Sequence, residues 1–401
     1  MTFQTKIQAY LSSHVLESGH NVQCAVDWTG GVLYTIGQPS GTTYIAKFDL
    51  NSGVELAWQG QTAYSPKIPF HEWPIGFDAN GVYFTGNDFT TFIKANASDL
   101  SQNVQSAISF NTAFPQGTFS PITDTGGGKW MLCTGIGQLT SSLEVFICIN
   151  TSTLATWTPG ILSYGNRIAC GCAGQYGTGI GYIASTPEQS DPSGSLKFIQ
   201  VNVNSGTQGA TTLSTIAAST IDAGWTVIGQ TGMCLDQTDN NLLVFVQGQV
   251  GATNQYYIIK LNATTGALIW KLACPGPGGG PQTQQSVIKS QKYVLLYGVS
   301  GGANGIVIDT STGTITTTIT TGLVGLIPSG ALSQSFNDQS GAIFGEYGYT
   351  NMGQPQSPLP LNSTPNSSDG WAAVYVIQPA NPSPSTGTHA SYVRIWGNMP
   401  R

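Results

Sequence analysis

Apolar residues in this chain gather into short runs that return about every 50 residues, roughly seven times from end to end. The leading runs are VLYTIG (32–37), VYFTG (82–86), WMLCTG (130–135), IGYIAS (180–185), LLVFVQG (242–248), YVLLYG (293–298) and AIFGEYG (342–348). Each predicts a central strand. A polar loop, a second apolar run and an Asn-Ser-Gly or Thr-Thr-Gly turn follow, often with a third run ending near a Trp. Some runs alternate, as in YIAKFDL, which predicts half-buried strands. LLVFVQG and YVLLYG are apolar throughout, which predicts strands covered on both faces. Helical spacing is faint and confined to 7–16. A period of this size with about four strands per unit is that of a β-propeller. The expected fold is all-β: one propeller of about seven four-stranded antiparallel blades, its ring closed by terminal strands. Residues 1–20 would be an N-terminal arm and 21–401 the propeller domain, with an irregular last blade and a Pro/Ser-rich insertion at 350–370.

The turns Asn51-Ser52-Gly53, Asn204-Ser205-Gly206, Thr264-Thr265-Gly266 and Ser311-Thr312-Gly313 recur between third and fourth strands, where glycine supplies the positive φ of a tight hairpin. The fourth unit is looser around 170–214. Longer segments at 136–142, 186–194, 249–254 and 350–370, with inter-unit runs at 59–74 and 273–285, share the opposite face. Recognition is expected on that face.

Composition narrows the function. Charged residues are only 8% of 401, net charge is −6, and 13 Lys plus Arg cannot supply the basic footprint that nucleic acid requires. The first twenty residues lack the apolar core of a secretory signal, and no stretch is long enough to span a membrane. The seven cysteines are scattered through apolar strands and read as buried thiols of a reducing compartment. Cys170 and Cys172 stand apart, because i and i+2 in a strand share a face.

FDLNSGVELAW (48–58) and KLNATTGALIWKL (260–272) resemble the repeat of quinoprotein-type propellers. In that family an Asp/Asn, a Ser/Thr-Gly turn and a Trp recur in each blade, and the Trp docks between neighbouring blades. The resemblance implies structural roles for Asp49, Gly53, Trp58, Gly266 and Trp270. Family enzymes hold calcium with an acidic cluster, which this chain lacks, so no cofactor, metal or catalytic residue is expected. Asp27, Asp78, Asp124, Asp236, Asp239 and Asp338 recur near the ends of first strands. A catalytic pair should be singular, so Asx turns explain them better than a glycosidase would. His-Glu-Trp at 71–73 lacks the second His of a helical zinc site.

Aromatics at Tyr64, Phe70, Trp73, Tyr164, Trp225, Tyr347, Tyr349 and Trp371 lie in or beside the long-loop face, where they would either stack on sugar rings or pack between blades. The candidate binding residues are His71, Trp73, Tyr164, Tyr349 and Trp371. Low charge, abundant hydroxyl and amide side chains and no export signal together suggest a phage virion protein, made in the host cytoplasm. It would be a non-enzymatic tail or capsid-surface component, possibly in multiple copies on a symmetric particle, binding a host-surface glycan or a neighbouring virion protein. The alternatives are a quinone-dependent or glycan-cleaving propeller enzyme and a cytosolic interaction scaffold.

Overall fold

The computed structural model describes residues 2–10, most strands and tight turns between 23 and 319, and 371–378; the remainder, chiefly inter-sheet connections and the stretches 320–370 and 379–401, lies outside the described residues. Six sheets follow one another along the chain, each a run of hydrogen-bonded antiparallel neighbours. Sheet I contains β2 (Gln23–Asp27), β3 (Val32–Gly37), β4 (Tyr44–Asp49) and β5 (Glu55–Gly60), and β1 (Thr2–Tyr10) precedes it. Sheet II contains β6 (Gly76–Asp78), β7 (Gly81–Thr85), β8 (Thr91–Ala95) and β9 (Gln102–Ala107). Sheet III contains β10 (Phe119–Thr123), β11 (Lys129–Thr134), β12 (Phe146–Asn150) and β13 (Thr156–Trp157). Sheet IV contains β14 (Arg167–Gln175), β15 (Ile180–Pro187), β16 (Ser195–Asn202) and β17 (Gly209–Ala217), and the one-turn helix α1 (Ala218–Ile221) follows it. Sheet V contains β18 (Val227–Ile228), β19 (Met233–Asp236), β20 (Asn241–Val250), β21 (Thr253–Leu261) and β22 (Leu268–Cys274). Sheet VI contains β23 (Val287–Ser290), β24 (Tyr293–Tyr297), β25 (Gly305–Asp309) and β26 (Thr314–Ile319), and β27 (Trp371–Gln378) lies beyond it.

The expectation of about seven four-stranded blades closed into a ring is not met. The described strands make five four-stranded sheets, one five-stranded sheet and a two-stranded ribbon, and no sheet closes on itself. Sheet V gains its fifth strand because β20 is ten residues long and β19 covers only its first half. Backbone groups in the second half pair instead with β18, through Val227↔Gln249 and Ile228↔Gly248. At the chain ends β1 pairs antiparallel with β27, from Thr2↔Gln378 to Tyr10↔Trp371, as a ribbon and not as a four-stranded blade. The faint helical spacing beginning at residue 7 is overridden by this pairing, which holds Thr2–Tyr10 extended. AIFGEYG, the 350–370 insertion and the alternating segment 391–398 lie outside the described residues.

Two local expectations also change. The supposed long loop at 249–254 is a two-residue connection, since Val250 and Thr253 are paired and Gly251 turns the chain at φ 61°. Sheet IV, the loosest unit in sequence, has strands of eight or nine residues. Glycine and serine dilute its apolar pattern without preventing pairing. A register shift between Ala169 and Gly171 makes Cys170 an extra residue, so the two-residue rule does not put it on the face of Cys172.

Each of sheets I to V shares an apolar core with the sheet that follows it. Val32, Tyr34, Ile36 and Ile45 of sheet I pack with Val82, Phe84 and Ile93 of sheet II. Tyr83 and Phe92 meet Ile147 and Ile149 of sheet III, and Ile122 and Cys148 meet Ile183 and Ile199 of sheet IV. Phe198 and Leu196 join Leu242 and Val244 of sheet V, while Leu243 and Ile258 join Ile306 and Ile308 of sheet VI. Burial of one such side chain contributes roughly 1.5–3 kcal/mol. This succession of faces explains why the central strands carry uninterrupted apolar runs.

Candidate functional site

The third-to-fourth-strand turns of sheets II, III, V and VI are built to one plan: Leu100, Leu154, Gly266 and Gly313 each donate an N–H to the carbonyl of the residue four positions earlier. Where sheet II's turn begins, the Asn96 N–H donates to Ser101 O; Asn150 to Ala155 and Asn262 to Ala267 repeat the bond, as Asp49 to Val54 does in sheet I. Inside the turn the first residue's side chain holds the backbone: Asn262 Oδ1 accepts from the N–H groups of Thr264 and Thr265, each at 2.9 Å. Asp309 Oδ1 likewise accepts from the Ser311 N–H at 2.9 Å. The fifth turn position is left-handed, at φ 69° in Gly266 and 68° in Gly313. Leucine takes that position in two turns, Leu100 at φ 62° and Leu154 at 58°, and both side chains are buried against neighbouring aromatics.

A lysine two residues before three of these turns reaches the turn of the following sheet. Lys47 Nζ donates to Ala97 O at 2.7 Å, Lys94 Nζ to Thr151 O at 3.0 Å, and Lys260 Nζ to Thr310 O at 2.9 Å. Lys260 is 2% exposed and also meets Asp236 at 3.0 Å and Asp239 at 2.6 Å, so its ammonium has an oxygen partner for each proton. The short strings Lys-Phe-Asp, Lys-Ala-Asn and Lys-Leu-Asn carry this signal in the sequence, and the repeat reading passed over them.

Other described acids also serve the scaffold. Asp78 Oδ1 accepts from the Asn80 N–H at 2.6 Å and the Tyr83 hydroxyl at 2.9 Å, and Asp239 Oδ1 accepts from the Asn241 N–H at 3.1 Å. These are the Asx turns expected from sequence; Asp239 also pairs with Lys260, as Asp236 does. Desolvation, with the Asp78 carboxylate close by, raises the Tyr83 pKa well above the phenol range. Among the described residues no three His, Cys, Asp or Glu side chains gather as a metal site, and no helix is long and apolar enough to cross a membrane.

Where sheet IV leads into sheet V, a strap at 218–228 crosses the end of the β20–β21 hairpin. The indole of Trp225 lies on Gly248, where any Cβ would collide with the ring, and its Nε1 donates to Gln255 Oε1 at 2.8 Å. Tyr257 stands edge-on to Trp225 at 5.2 Å and donates its hydroxyl to Asp222 Oδ2 at 2.5 Å. That bond lowers the Asp222 pKa and pushes Tyr257 up to about 12. Lys271 Nζ caps α1 by donating to Thr220 O and Ile221 O, at 3.0 and 2.6 Å.

Of the expected binding residues, Trp371 opens β27, opposite Tyr10; His71, Trp73, Tyr164 and Tyr349 lie outside the described residues. Tyr64 and Trp225, also candidates for the rim, are packing residues: both are buried, and the Tyr64 hydroxyl donates to Leu100 O. The Asp49 N–H donates to Val54 O, and residues 50–53, Gly53 among them, are outside the described residues. Trp270 docks on sheet VI, donating Nε1 to Thr310 O at 3.1 Å and lying 2.6 Å from where a Cβ on Gly313 would stand. Trp58 does not occupy the equivalent place. Lys260 pairs with Trp270, whereas Lys47 pairs with Ala57, so Trp58 falls one residue later and on the other face.

The sequence matches no family model and no curated protein. Its backbone is similar to the propeller of Dos1, with a TM-score of 0.53 and 8% identity over 92% of this chain and 84% of that one. The chain is propeller-like and all-β. The β-propeller domain of Cps50 (Swd1) from Myceliophteria thermophila gives 0.50 and 8%, covering 92% of this chain and all of that one. Hydrazine synthase of Kuenenia stuttgartiensis gives 0.51 and 10%, covering 80% and 92%. Identities this low establish the propeller-like fold alone, and the six described sheets correspond to blades I to VI.

Proposed function

We propose that this propeller is a non-enzymatic recognition protein, a virion surface component that binds a host-surface glycan or a neighbouring virion protein through its long-loop face. The observation that supports this reading is how the described ionisable groups are used. Asp78, Asp222, Asp236, Asp239 and Asp309, with Lys47, Lys94, Lys260 and Lys271, all hold turns, straps or neighbouring blades. A chain with so few charges, and with these committed to its scaffold, presents mainly amides, hydroxyls and aromatic rings to a partner. That chemistry suits a neutral polar surface.

The test is to incubate the purified chain with an immobilised glycan array and, separately, with isolated virion proteins, following both binding and product release. Retention on one of these surfaces without turnover, lost in a His71→Ala, Trp73→Ala, Tyr164→Ala triple variant, is the expected result. Release of cleaved sugar, or retention unaffected by the triple variant, overturns it.

A further inference from the structure

We propose that the Asn80-Gly81 step in the β6–β7 turn is a modification site, where spontaneous deamidation of Asn80 unfastens blade II from blade III. The inference goes beyond the recognition reading above, because it concerns the scaffold and needs no partner. Asn80 ends the two-residue connection between Asp78 and Gly81, which pair across the hairpin. Its Nδ2 donates to Thr151 Oγ1 at 3.0 Å and to Ser152 Oγ at 3.3 Å, both in the third-to-fourth-strand turn of blade III. Gly81 is as firmly required: a Cβ there would stand 2.6 Å from Ala95 O and 3.1 Å from Lys94 Cε. The seam between the two blades thus fixes both members of the pair. Among the described asparagines no other precedes glycine; Asn96, Asn150, Asn204 and Asn262 precede Ala97, Thr151, Ser205 and Ala263.

That pair is the chemically weak one. With no side chain on the following residue, its backbone nitrogen meets least hindrance in reaching the asparagine's side-chain carbonyl. The Gly81 nitrogen gives up its proton and attacks Asn80 Cγ; the N–Cγ bond forms, the Cγ–Nδ2 bond breaks, and Nδ2 leaves as ammonia with that proton. One water then opens the five-membered imide at either carbonyl, leaving aspartate or isoaspartate. The ties to Thr151 and Ser152 hold Asn80 still, so the reaction draws on moments when the turn opens. Its product does not refasten in the same way. A carboxylate has no proton to donate, and the Thr151 hydroxyl already gives its own to Lys129 O at 3.2 Å. The new charge also stands beside Asp78, which accepts the Asn80 N–H at 2.6 Å and whose Oδ2 is buried with no hydrogen-bond partner among the described residues. Lys94, the cation alongside Gly81, is engaged by Thr151 O at 3.0 Å. Isoaspartate adds a methylene to the backbone, which shifts the pairing of a two-residue turn.

The test incubates the full chain in warm, mildly alkaline buffer and maps its peptides by mass spectrometry. Asn80 is expected to gain one mass unit about tenfold faster than Asn150 and Asn262, whose following residues carry a Cβ, and part of the product should be isoaspartate. Hydrogen exchange should then quicken at the Thr151 and Leu154 amides, in the aged chain and in Asn80→Asp alike. Asn80→Gln keeps an amide but would have to close a six-membered ring, so its exchange should not change on ageing. Thermal melts of the fresh variants check folding, and the peptide map of the unaltered chain stands without them. Conversion at Asn80 no faster than at Asn150 and Asn262 overturns the site. Exchange at Thr151 equal in the fresh and aged chain overturns the unfastening, with Lys94 then taking the new carboxylate as its partner.

Discussion

Trp58 and Trp270 end two closely similar stretches of sequence and do opposite things. Trp58 follows Gly53 by five positions, and Trp270 follows Gly266 by four. Both strands carry a register irregularity at the same place, after Lys47 and after Lys260, so the difference of one residue persists into the sheet. With side chains alternating every residue, one step moves a ring from one face to the other. Trp270 consequently fastens blade V to blade VI, and Trp58 lies on the face of its own sheet turned away from blade II. Similar letters mark the turn reliably and leave the role of the following Trp to the spacing.

The sharpest way to break this contrast is at the fastening beside Trp270. Lys260→Ala strands Asp236, which has no exposure, and should cost about 3–5 kcal/mol in urea unfolding. Lys47→Ala, at the matching place in blade I, removes a bond to one carbonyl and should cost roughly 1 kcal/mol. Next in size, Trp270→Ala should lower stability by about 3 kcal/mol and Trp58→Ala by less than about 1 kcal/mol. Equal losses would erase the distinction between the two faces.

A smaller effect is expected where leucine replaces the turn glycine. Leu154→Gly relieves about 1–2 kcal/mol of left-handed strain but forfeits roughly 1.5–3 kcal/mol of burial, so a net loss near 1 kcal/mol should appear in thermal melts. The smallest concerns the strap. Tyr257 is raised in the folded state from 10.0 to about 12, so its contribution is complete below pH 10 and is lost as pH rises through about 12. Tyr257→Phe should remove that alkaline loss, and a pH series of melting temperatures measures it.

Much of the scaffold was legible in the sequence. Apolar runs located the second and third strands of blades I to VI, and Gly266 and Gly313 took the left-handed backbone that their turns require. The number of strands per sheet was less legible, because β18 is two residues long and exists to pair with the far end of β20. Tertiary pairing also decided Thr2–Tyr10, whose local spacing pointed elsewhere. At the candidate sites, residue type alone could not separate binding aromatics from packing ones. Trp225 is consumed by Gly248 and Gln255, and that depends on a strap crossing from another blade. Trp58 was misplaced by a single residue of spacing, which a repeat alignment absorbs and a pleated strand does not.

The three lysine bonds that reach the turn of the following sheet run forward along the chain. Lys47, Lys94 and Lys260 lie 50, 57 and 50 residues ahead of the carbonyls they hold. During synthesis the donor strand is therefore already in place when its acceptor turn leaves the ribosome, and the newest blade is caught by the one before it. Cys148, Gln200 and Val307 occupy the lysine's position in blades III, IV and VI. The polypeptide thus has a built-in order of assembly, with two early catches and one late one separated by a stretch that must find its place by apolar packing and weaker polar bonds.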